Sequence, residues 1–228
     1  MCGRFSQAYS WAEVHAFLDL VGAPRNLRAR YNITPTTEVD VVRLGENGRE
    51  LVRMRWGLVP VFWSKGLREL PATFNARAET VAEKPMFRDA FRKRRCIIPA
   101  SGFFEWTGPR NDRQPHLFTA ADEAPVLALA GLWDRWRDPV SGEELLSCTI
   151  VVTGASAWMT PYHDRMPVLL APDDIEAWLD GSLGRDGLKP ASEGALRAWP
   201  VSRRVNRAGE GDEDAMLLDP VELNRSAG

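Results

Sequence analysis

The sequence predicts an α+β fold in a single domain, and three observations carry that prediction. Between residues 96 and 153, short stretches rich in Val, Ile, Leu and Phe recur with Gly and Pro between them at roughly 8–15-residue spacing, the pattern of an antiparallel β-rich core. Helical periodicity is confined to three short places. The chain has 228 residues, within reach of one large domain at about 100–200 residues each, and no repeat, linker or shift in composition divides it.

The elements follow in order. Ser10-Trp11-Ala12-Glu13 has the form of a capping box, a Ser N-cap with Glu three residues on. Val14, Phe17, Leu18 and Val21 then fall on one helical face, and Gly22-Ala23-Pro24 ends the helix. Thr37–Leu44 and Glu50–Gly57 read as two strands joined at a turn containing Asn47-Gly48. In the second strand Val52, Met54 and Trp56 alternate with Arg53 and Arg55. A short helix is expected over Pro85–Arg95, with Phe87, Ala90 and Phe91 inward and a basic run from Arg88 through Arg92, Lys93, Arg94 and Arg95. Strands are expected at Cys96–Ile98, Phe103–Trp106, His116–Thr119, Val126–Leu132 and Leu145–Thr153, and a last helix at Pro172–Leu179.

Composition excludes several classes. With 44% hydrophobic and 26% charged residues the chain is neither disordered nor fibrous. No apolar run nears the roughly 18 residues of a membrane span and no apolar leader opens the chain, so a soluble, unexported cytoplasmic protein is expected. Cys2, Cys96 and Cys148 form no paired spacing, which predicts neither disulfide nor metal site. A net charge of −2 conceals an asymmetry: residues 1–108 carry 17 Lys+Arg against 11 Asp+Glu, whereas residues 109–228 carry 12 against 20. The basic half keeps a polyanion partner open.

Four places can carry chemistry. Removal of Met1 before a small residue would leave Cys2 with an α-amine (pKa about 7.7–8.0) and a thiol (about 8.5) on adjacent carbons. An aldehyde condenses with such an amine to an imine, and the thiol then closes a five-membered thiazolidine. Glu105, between Phe104 and Trp106, becomes a general acid/base if its neighbours desolvate it, but a solvent-facing carboxylate if strand alternation turns only the aromatics inward. His163 lies in the loop Pro161-Tyr162-His163-Asp164-Arg165-Met166-Pro167, where an imidazole can move protons near neutral pH or simply be polar surface. Asn75 and Arg77, two apart on an extended segment, point to one face, where Arg can grip a phosphate.

Eight blocks in order make the chain similar to the SRAP family, the SOS response-associated peptidase-like proteins that cross-link abasic sites. They are Met1-Cys2-Gly3-Arg4-Phe5, Tyr31-Asn32-Ile33-Thr34-Pro35, Arg55-Trp56-Gly57-Leu58-Val59-Pro60 and Asn75-Ala76-Arg77-Ala78-Glu79-Thr80. Arg95-Cys96-Ile97-Ile98-Pro99, Gly102-Phe103-Phe104-Glu105-Trp106, Ala130-Gly131-Leu132-Trp133 and His163-Asp164-Arg165-Met166-Pro167 complete them. The resemblance implies one domain over residues 1–222 with a short tail at 223–228, an antiparallel barrel-like core, flanking helices and a basic groove. It implies binding of single-stranded DNA, at single-strand/duplex junctions among other places, and covalent capture of abasic sites in the DNA damage response, by a monomer without cofactor, metal or membrane.

Carried over by position, Cys2 supplies both nucleophiles, Glu105 assists imine formation and ring closure, His163 assists sugar-ring opening, and Asn75 orients the amine or sugar. Arg4, Arg77, Arg88 and Arg165 would meet phosphates, while Pro35, Trp63 and Phe87 would be apolar wedges between bases. The chain departs from the family at Val61-Phe62-Trp63-Ser64-Lys65, where many members read Ser-Trp-Ala-Lys. Two rival readings are an N-terminal-nucleophile amidohydrolase, with Cys2 attacking an amide, and a non-covalent reader of modified or single-stranded DNA.

Overall fold

The structure, a computed structural model, describes residues 2–223; most of the expected C-terminal tail lies outside them. In chain order the elements are β1 (Phe5–Gln7), α1 (Trp11–Leu18), β2 (Arg30–Ile33), β3 (Glu38–Gly45), β4 (Gly48–Trp56), β5 (Asn75–Arg77) and α2 (Arg88–Lys93). There follow β6 (Arg95–Ala100), β7 (Gly102–Thr107), β8 (Gln114–Ala120), β9 (Leu127–Arg137), β10 (Glu144–Gly154), β11 (Arg165–Pro167), α3 (Asp174–Asp180) and β12 (Leu196–Pro200).

The strands form two sheets. One has the order β12-β8-β7-β1-β2; the other runs β11-β10-β4-β3-β6-β9, with β5 beside β10 and β10 also pairing β9. The result is the expected α+β fold with a barrel-like core, with one correction. Most pairings are antiparallel, but β10 runs parallel to both β4 and β5, so the core is mixed. A three-residue strand such as β5 carries no periodicity of its own, and its pairing is fixed by residues some 75 positions away.

Two apolar cores flank the larger sheet. On one face, α1, α2 and α3 bring Val14, Leu18, Phe91, Ile175 and Trp178 against Val42, Ile97 and Val151. On the other, the smaller sheet packs Phe5, Phe103 and Phe118 against Met54, Trp56, Ile98 and Ile150. Cys2 lies in this inter-sheet core, and a small third cluster covers the outer face of β7 through Phe104, Val201, Val205 and Leu217.

The local expectations hold where local chemistry decides. Ser10 and Glu13 make the reciprocal capping box, a device worth about 1 kcal/mol. The β3–β4 hairpin closes from Gly45 to Gly48, with Gly48 at φ +129°, a value Gly adopts freely. Other expectations shift. Helix α1 stops at Leu18 because Asp19 turns left-handed (φ 49°), so Val21 is 39% exposed rather than inward. Gly131 is explained by packing, since a Cβ there would sit 2.9 Å from Cys96 Sγ.

Candidate functional site

The backbone ladder brings the predicted residues together. Phe5 pairs with Phe103 between β1 and β7, and the Phe104 N–H donates to Arg4 O (3.0 Å), which carries residues 2–4 alongside Glu105. Strand alternation on β7 does turn Phe104 and Trp106 to one side, but that side is covered by the third cluster. Glu105 therefore faces inward with Phe103 and is 2% exposed, which resolves its two readings in favour of burial. Burial pushes its carboxyl up to about 7.

Cys2 is fully buried, and burial first, then the Glu105 charge, push its thiol well above the ordinary range. The thiol at rest is therefore neutral, and its Sγ lies 4.0 Å from Arg4 O. Asn75, on β5, donates from Nδ2 to Cys2 O at 2.8 Å, while its buried Oδ1 accepts no bond among the described residues. Trp56 sets up this approach: its Nε1 donates to Phe74 O (2.9 Å), and its ring packs edge-on against Phe5 and Phe74. Arg77 lies on the same face of β5, exposed and without an ion-pair partner among the described residues.

His163 sits in the loop between β10 and β11. Its Nδ1 accepts the Arg165 N–H (2.9 Å), and the Asp164 carboxylate lies 2.8 Å from the same nitrogen, where it forms an ion pair only with a charged ring. Burial holds the ring below the usual imidazole range. The Arg165 N–H favours a neutral ring with its proton on Nε2, where it can donate, whereas the Asp164 carboxylate favours a proton on Nδ1, so the loop offers both states of the ring. Glu105 feels the Asp164 charge, and Glu105 and His163 both feel Arg113, so the two groups share one electrostatic environment.

The DNA-contact expectations divide. Arg165 is half-buried and bonded to Glu79 (2.5 Å). Arg4 is 9% exposed and spends Nη1 on Asn32 Oδ1 (2.6 Å) and Val205 O (2.7 Å), while its buried Nε has no partner among the described residues. It lines a cavity of about 470 Å³ with Trp106, Arg110, Asn111, Arg113 and Asn206. Pro35 is half-buried in a turn held by Thr36 at φ 74°, an uncommon conformation for a β-branched residue.

Two wedge expectations meet obstacles. Phe87 is 8% exposed and packed in the helix-side core, so its ring offers a base little surface. Trp63 is half-buried, with Nε1 turned to Gly66 O (3.3 Å), and the exposed aromatic of that turn is Phe62 at 52%. The basic run likewise does not form one face. Arg88 stays exposed beside Asp89 (3.8 Å) and Arg94 is tied to Asp134 (3.1 Å). Arg95 is buried against the Phe91 and Trp178 rings.

Sequence reasoning missed His116, Tyr162, Trp106, Arg110 and Arg113. Their places depend on strand register and on the β7–β8 and β10–β11 loops, for which no local spacing is a signal. Among the described residues no group of three or more His, Cys, Asp or Glu is gathered to hold a metal, and no helix is long and apolar enough to cross a membrane.

Comparison with known proteins bears on the site. The family model described as SOS response associated peptidase (SRAP) matches residues 1–208. The abasic site processing protein YoqW of Bacillus subtilis is 33% identical over 214 residues, covering 90% of this chain and 94% of the relative. The abasic site processing protein YedK of Escherichia coli is 31% identical over 234 residues, covering 97% and 100%. A crystal structure of a protein from Bacteroides thetaiotaomicron superposes with a TM-score of 0.86 at 25% identity, covering 97% of this chain and 100% of that one.

Proposed function

Because this chain belongs to the SOS response associated peptidase (SRAP) family, we propose that it binds single-stranded DNA and captures abasic sites covalently through Cys2. The observation that carries the reading is the setting of Cys2, buried beside a carboxyl at about 7 and held by its carbonyl to Asn75. The names of the relatives YoqW and YedK as abasic site processing proteins support the substrate class.

The chemistry runs amine first. After loss of Met1, the Cys2 amine adds to the aldehyde of the ring-opened deoxyribose and forms a C–N bond. Glu105 in its acid form protonates the resulting hydroxyl, which leaves as water and gives the protonated imine beside the Glu105 carboxylate. The thiol then gives its proton to that carboxylate as its sulfur bonds to the imine carbon. The C=N electron pair returns to nitrogen, closing the neutral thiazolidine and restoring the Glu105 acid, with one water lost overall. A thiol kept neutral by burial suits this order, since it does not compete with the amine for the aldehyde. Effective molarities of about 10⁵–10⁸ M for well-oriented groups make the closure fast. His163 Nε2–H would donate to the sugar ring oxygen as the ring opens, Asn75 Oδ1 would accept from the amine, and Arg77 would hold a flanking phosphate. The cavity at Arg4, Trp106 and Arg113 offers a further run of positive charge for the strand.

The test is incubation with a single-stranded oligonucleotide carrying one abasic site, with intact-mass confirmation that Met1 is gone. The expected result is a denaturant-stable adduct that Cys2→Ala abolishes while retaining binding of intact DNA in native gels. Absence of any adduct from the wild-type protein would sink the proposal and leave a non-covalent reader.

A further inference from the structure

His116, which had no functional setting in the sequence, lies at the centre of the site's support. It is directly opposite Glu105 in the β7–β8 ladder, so the two side chains project from the same face. The next pair on that face is Phe103 with Phe118, stacked at 5.1 Å. Tyr162 lies across the β8 members of both pairs, edge-on to His116 (5.0 Å) and to Phe118 (5.0 Å). Tyr162 immediately precedes His163, and the Tyr162 and His163 N–H groups both donate to Met159 O (2.9 and 3.2 Å). The loop carrying His163 thus rests on β8, which β7 separates from β1 and the Cys2 segment leading into it, and is aligned with Glu105 through the ladder.

Resting on the function proposed above, we propose that His116 is a positioning residue for cross-linking: with Phe118 it forms the seat on which Tyr162 rests, and so holds His163 in register with Glu105. His116 is itself 7% exposed, so its ring fills space inside the site rather than reaching out to DNA. Its effect is transmitted through Tyr162, because among the described residues the ring contact is to that residue and to no other aromatic of the loop. Loss of the seat would let His163 drift, and displacement of about 1 Å at a reacting centre can cost up to about 10²-fold in rate.

The test is the single-turnover rate of adduct formation at saturating abasic-site oligonucleotide. His116→Ala is expected to slow it about tenfold with intact-strand affinity unchanged, and His116→Phe, which keeps a ring against Tyr162, to recover most of the rate. In a His163→Ala background, His116→Ala should cost less than about twofold more, since the two act as one unit. Three results overturn the proposal: full-rate cross-linking by His116→Ala, no recovery in His116→Phe, or the same tenfold loss in the His163→Ala background. If His116→Ala does not fold, Tyr162→Ala empties the same seat from the other side and goes through the same cycle. A full rate in that variant, or an undiminished loss in the His163→Ala background, likewise overturns the proposal. A wild-type protein that forms no adduct removes the proposed function itself, whereas an active wild type with an indifferent His116 removes only this inference.

Discussion

The two sheets contribute unequally to the site. The five-stranded sheet and the segment leading into it hold Cys2, Glu105 and His116, all buried, and burial there drives the shifted titrations of all three. The seven-stranded sheet and its β10–β11 loop hold Asn75, Arg77, His163 and Arg165, which are half-buried or exposed and whose polar bonds run mainly to backbone or to a single carboxylate. The contrast is a division of labour. On the proposed function, Cys2 and Glu105, which make the bonds and move the protons, sit where water is scarce and their pKa values can move, Arg77 sits where a charged strand can reach it, and Asn75 and His163 lie half-buried between them.

The most direct probe of that division lies within Cys2 itself. Cys2→Ser keeps the amine and loses the thiol, so the denaturant-stable product should vanish completely while borohydride still traps an imine. If borohydride traps nothing, the amine does not act first.

Glu105→Gln is the next largest effect, expected to slow adduct formation about 10²–10³-fold, in the range of a lost general acid/base. The same substitution should stabilise the fold at alkaline pH. The carboxyl titrates at about 7 when folded and near 4.3 when unfolded. The folded chain therefore binds more protons between those values, and stability drains as pH rises through that window. Gln has no such drain, so thermal denaturation should show the variant melting higher than wild type at pH 8, with the gap closing near pH 4. Equal melting temperatures at both pH values would mean that Glu105 is not a buried charge.

Arg77→Ala should be smallest in rate and visible in binding. Intact-strand affinity is expected to fall about three- to tenfold, with the log–log salt slope reduced by about 0.7 for one lost phosphate contact. The saturated rate of adduct formation should change less than about twofold. A large fall in that saturated rate would contradict the division between the sheets.

Much of this was legible in the sequence where a few adjacent residues decide the outcome. Ser10 and Glu13 cap α1 by themselves, the Gly45–Gly48 closure sets the β3–β4 register, and Asn75 and Arg77 share a face because strands alternate. What was not legible depends on distant partners. Glu105 is buried because Val201, Val205 and Leu217 cover the opposite face of β7, about 100 residues later in the chain. Arg95 belongs to a basic run yet points between Phe91 and Trp178 and donates to three backbone carbonyls, which no charge count reveals. Phe62 rather than Trp63 is the exposed ring because the Trp63 indole turns back to Gly66 while its carbonyl accepts the Trp136 Nε1–H (2.6 Å).

The pairing of β5 also sets an order in time. Asn75 reaches Cys2 only from a three-residue strand whose ladder partner, β10, is some 75 residues further along the chain. Helix α1 and the β3–β4 hairpin close over short loops, whereas β5 must await a long-range closure of the kind that slows folding. A refolding chain would therefore regain its helix and hairpin early and its hold on Cys2 late, and newly made protein would pass through a stage in which the proposed nucleophile is present but not yet aimed.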